Sequence, residues 1–65
     1  MATFTLTLST GNDAFLGDPA PEIARILTEA AERATFESVY PGRVYRLQDA
    51  NGNRVGFYVL QDDPV

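Results

Sequence analysis

The chain has 65 residues, 45% of them apolar and 22% charged, which is one domain's worth of sequence at a size where only roughly 60% of the unfolded surface is buried on folding. It contains no histidine, cysteine or lysine, so the usual general base, thiolate nucleophile, Schiff-base amine, disulfide and soft metal ligand are all excluded. Nine acids against five arginines give a net charge of -4, which opposes phosphate backbones and anionic lipid, and no stretch approaches the roughly 20 apolar residues of a membrane span.

Residues 3–8 alternate threonine with Phe4, Leu6 and Leu8, the period-2 pattern of a half-buried strand with the apolar side chains inward. Residues 9–17 carry Gly11, Asn12, Asp13 and Gly17 and read as a loop, with Phe15 or Leu16 tucked beneath it. Asp18 then reads as a helix N-cap and Pro19 as the first helical residue, with Pro21 tolerated in a first turn whose amides lack intrahelical partners. The helix is expected to run to about Ala34. Ile23, Ile26, Leu27, Ala30 and Ala34 fall on one arc, and Glu22, Arg25, Thr28, Glu29, Glu32 and Arg33 fall opposite.

Residues 35–42 read as a linker ending in Pro41-Gly42, with Phe36, Val39 and Tyr40 covering one end of the core. Residues 43–48 and 54–60 flank Asp49-Ala50-Asn51-Gly52-Asn53, whose Asn-Gly is a strong hairpin signal. With Gly52 left-handed in a three-residue loop, Leu47 would oppose Val55 and Tyr45 would oppose Phe57. Tyr45, Leu47, Val55, Phe57 and Val59 would then face inward, while Val44, Arg46, Arg54, Tyr58 and Leu60 would face out. The element order is β-α-β-β, an α+β single domain over residues 1–65. A right-handed crossover with the third strand inserted between the first two predicts a three-stranded antiparallel sheet, order 1-3-2, with the helix packed on one face.

With no nucleophile or histidine, catalysis would rest on carboxylates alone, and one helix on three strands offers little of the concavity that shifts their pKa values. No enzymatic activity and no cofactor are therefore expected. Asp49, Asn51 and Asn53 have the alternating spacing that opens a calcium loop, but the glycine stands two places early and no bidentate glutamate follows. A tight hairpin already demands those residues, so no metal is expected.

Charge is unevenly placed. Residues 1–38 hold six acids, Asp13, Asp18, Glu22, Glu29, Glu32 and Glu37, against Arg25 and Arg33, whereas residues 39–65 hold three of each sign. Those six acids form one candidate binding surface, an anionic patch suited to a basic protein groove and sparser than the one charge per roughly 1.7 Å of duplex DNA. The competing reading is a solvated helix face steadied by the Glu29–Arg33 spacing. A second candidate surface is the outer sheet face with Arg46, Arg54 and Tyr58, suited to protein contact, to homodimerisation, or to stacking on single-stranded bases.

The runs DAFLGDPAPEIARILTEAAERA and RLQDANGNRVGFYVL resemble a group of short acidic β-α-β-β proteins of tailed phages and prophages, over about two thirds of the chain. The linker is more aromatic here than is usual in that group. Small acidic phage proteins of this build include anti-CRISPR inhibitors, and the resemblance implies a protein of the host cytoplasm, monomer or homodimer, that binds a CRISPR effector complex, type I above other types, and blocks DNA recognition. It brings no catalytic residues. Self-association as a phage structural or assembly protein and single-stranded nucleic-acid binding remain the alternatives.

Overall fold

A computed structural model describes residues 1–62. Its elements run β1 (Ala2–Leu8), a single 3-10 turn (Asp13–Phe15), α1 (Ala20–Glu37), β2 (Val44–Gln48) and β3 (Arg54–Asp62). The three strands form one antiparallel sheet in the order β1-β3-β2. This is the expected α+β arrangement, with the longest strand in the middle and β1 and β2 at the two edges.

The hairpin turn forms as its residues demand. Asp49 N–H donates to the Asn53 carbonyl at 2.9 Å, Gly52 N–H donates to the Asp49 carbonyl at 3.0 Å, and Gly52 takes φ 81°, a conformation that costs glycine little. Beyond the turn the register departs from expectation. Gln48 pairs with Arg54, but Leu47 pairs with Gly56 and Tyr45 with Tyr58, so Val55 is an extra residue bulged out of the ladder. The slip reverses the face of every later residue in β3.

Tyr58, expected on the outer face, is therefore turned inward and is 0% exposed. Phe57, expected inside, lies exposed on the outer face beside Arg46, whereas Val59, on that same face between Thr5 and Val44, is buried. The driving force is visible in the composition of β3. Val55 and Tyr58 have opposite parity in an unbroken strand, and a bulge beside Val55 lets both reach the core. Gly56 makes this possible, because a Cβ there would overlap the Thr7 carbonyl oxygen of β1.

The core gathers Phe15, Ile26, Ala30, Tyr45, Leu47, Val55 and Tyr58, with Leu6, Leu8, Ile23 and Val39 packed at its margin. The Tyr45 and Tyr58 rings stack at 4.8 Å with planes 7° apart, and Phe4 leans on Tyr58 at 5.7 Å. Under the loop it is Phe15 that is buried, while Leu16 is exposed.

The helix also differs from expectation. It starts at Ala20, whose N–H donates to the Asp18 carboxylate at 3.0 Å, and it continues three residues past Ala34 to Glu37. The extra turn is held by an Arg33–Glu37 ion pair and by Thr35 Oγ1 donating to the Ala31 carbonyl, and it ends where Ser38 takes φ 64°. Phe36 and Tyr40 consequently stay exposed instead of covering the core. The buried stripe runs Glu22-Ile26-Ala30, rotated toward Glu22 and away from Leu27, which is 44% exposed.

Candidate functional site

The polar ridge of α1 is built from two arginines that both reach toward β2. Arg25 Nε donates to Glu22 Oε1 at 2.6 Å, its Nη1 to Glu29 Oε2 at 2.9 Å and its Nη2 to the Gln48 carbonyl at 3.3 Å. Arg33 Nε donates to Glu37 Oε2 at 3.0 Å and its Nη1 to the Arg46 carbonyl at 2.7 Å. Both guanidinium groups thus cap outward carbonyls of the β2 edge, and the cations of the helix are drawn in against the sheet.

Glu22, expected in the exposed anionic patch, is 9% exposed and bound at both oxygens. Arg25 holds it, and Ala50 N–H in the hairpin turn donates to its Oε2 at 2.8 Å. The correction follows from helix geometry: Glu22 stands one turn before Ile26 on the stripe that meets the sheet, at the height of the hairpin. The Arg25 hydrogen bond, assisted by Ala50, lowers its pKa from the ordinary carboxylate value against the opposing effect of burial.

Asp49 makes the same kind of junction. Its Oδ1 accepts from the N–H groups of Asn51 and Asn53, each at 2.9 Å, and its Oδ2 from Asn12 Nδ2 at 3.2 Å, tying the loop after β1 to the hairpin. Burial alone would raise its pKa, but these hydrogen bonds outweigh it and hold the group below its ordinary value. The carboxylate is thus committed to the turn. Among the described residues no three His, Cys, Asp or Glu side chains gather around a metal position.

The remaining acids stand at the surface. Asp13 lies in the 3-10 turn, Asp18 caps the helix start, Glu29 and Glu37 keep exposed carboxylates beside Arg25 and Arg33, and Glu32 is exposed with no ion pair among the described residues. Glu29 and Glu32 flank a shallow depression with Pro21, Ala24 and Thr28 on the side of α1 away from the sheet.

The second candidate surface is altered more. Arg46 and Arg54 are exposed on the outer sheet face, but Tyr58 is not with them, and Phe57 with Val44 takes the apolar place between them. Tyr58 cannot stack on a base or meet a partner. Its hydroxyl is buried with no hydrogen-bond partner among the described residues, and burial raises its pKa. Sequence periodicity could not have found Phe57, because the run from Val55 to Leu60 is apolar at nearly every position. No helix among the described residues is long and apolar enough to cross a membrane. Comparison with protein-family models, with curated proteins and with solved structures finds no match.

Proposed function

We propose that this chain is a non-enzymatic binding protein that seats the outer side of α1 in a basic groove of another protein. The observation that carries the reading is the one-sided arrangement of charge on the helix. Arg25 and Arg33 reach the β2 edge and each pairs with one exposed acid, Glu29 and Glu37 respectively, while Glu32 is exposed without an ion pair among the described residues and Asp13 and Asp18 stand at the helix start. An excess of exposed carboxylates over cations steers a basic partner over the 8 to 10 Å that physiological salt permits. Glu22 has no part in the contact, because it is committed to the hairpin.

The resemblance to small acidic phage inhibitors makes a type I CRISPR effector the first partner to test. The double variant Glu29→Lys, Glu32→Lys is expected to keep the circular dichroism spectrum and melting behaviour of the parent and to lose effector capture in a pull-down. Capture undiminished in the folded double variant would overturn the acidic-helix reading.

A further inference from the structure

The two edges of the sheet are treated differently. At β2 the outward carbonyls of Arg46 and Gln48 are taken by Arg33 and Arg25, and the helix bars approach. β1 has none of the devices by which folded proteins blunt an edge: its seven residues carry no charge and no proline, and only three of its side chains are polar. Ser9 N–H donates to the Val55 carbonyl at 2.7 Å, in line with the β1–β3 register, so the ladder bonds belong to Thr3, Thr5 and Thr7. The N–H and C=O groups of Ala2, Phe4, Leu6 and Leu8 consequently point to the open side.

The surface next to that edge is apolar. Phe4 is 53% exposed, and Leu6 and Leu8 are half-buried on the same face.

We propose that a second copy of this chain pairs with β1 in antiparallel fashion across a two-fold axis at Thr5, joining two three-stranded sheets into one of six strands. That register pairs Phe4 with Leu6 of the second copy and Ala2 with Leu8, uses every outward backbone group of the strand in about eight hydrogen bonds, and sets Thr5 opposite Thr5. It brings Phe4 and Leu6 of both copies together on the face that carries the helices. No charge on β1 opposes the pairing.

Sedimentation equilibrium of the full chain is expected to show twice the monomer mass at about 100 μM, a pairing through one seven-residue strand being weak. Thr5→Lys sets like charges directly opposite one another while leaving a solvent-facing position of the fold, and should weaken the dimer on the order of tenfold or more. The chain has no native cysteine. Thr5→Cys should therefore form a disulfide-linked dimer under mild oxidation, since directly opposed Cα atoms of a non-hydrogen-bonded pair lie about 4.5 Å apart, within disulfide reach. Arg46→Cys on the covered edge should not. A wild-type chain of monomer mass at that concentration, or a dimer that Thr5→Lys leaves unchanged, overturns the proposal.

Discussion

At Glu22, position on the helix outweighs the polarity of the side chain. The residue bridges α1 and the hairpin because its oxygens reach Arg25 and the Ala50 amide together, and Asp49 links the hairpin to the loop after β1 in the same manner. Both carboxyls are held below their ordinary values, so the unfolded chain takes up protons that the folded chain resists. Stability from these groups is complete above their unfolded pKa values, near about 4, and is lost as pH falls from there through the lower folded values. Melting temperature is expected to fall as pH drops below about 4. Glu22→Gln should melt lower than the parent at pH 7 and show a shallower acid slope; parallel slopes would remove Glu22 from the account. The surface acids Asp13, Asp18, Glu29, Glu32 and Glu37 were legible as exposed from the helix wheel and loop composition. Glu22 lay at the border of that wheel, and only the angular centre of the buried stripe, set by tertiary packing, decides such a position.

Among the elements, β3 is where local pattern and tertiary demand part. The strand order, the Asn-Gly turn and the alternation of β1 were legible because each rests on a short, one-valued signal: period 2, a left-handed glycine, a right-handed crossover. From Val55 to Leu60 the side chains are apolar at both parities apart from Gly56, so periodicity names no face and the bulge carries no local mark except the glycine itself. Gly56 is thus the element's most exacting position. Gly56→Ala should force β1 away from β3 at Thr7 and cost about 3 kcal/mol or more, read as a lowered urea midpoint, whereas Gly11→Ala, with open space around its Cα, should change stability by less than about 1 kcal/mol. Equal midpoints for the two variants would mean that the strands meet differently. The helix end was illegible for a plainer reason: Thr35 and Phe36 have middling helix propensity, and the Arg33–Glu37 pair that prolongs the helix is worth only a few tenths of a kcal/mol.

For the molecule as a whole, the acidic helix and the open β1 edge lie on different elements and respond oppositely to ionic strength. Docking of Glu29 and Glu32 into a basic groove weakens as salt screens the attraction. Pairing of two chains that each carry a charge of -4 tightens as salt screens their repulsion. Raising sodium chloride from about 50 mM to 500 mM should accordingly lower partner capture and raise the dimer fraction. Movement of both in one direction would show that one surface serves both contacts. The stacked Tyr45 and Tyr58 rings give such experiments an internal gauge. In a chain without tryptophan, two near-parallel phenols held at 4.8 Å are expected to give a near-ultraviolet dichroism signal, so the integrity of the interior can be followed optically in every variant without any label.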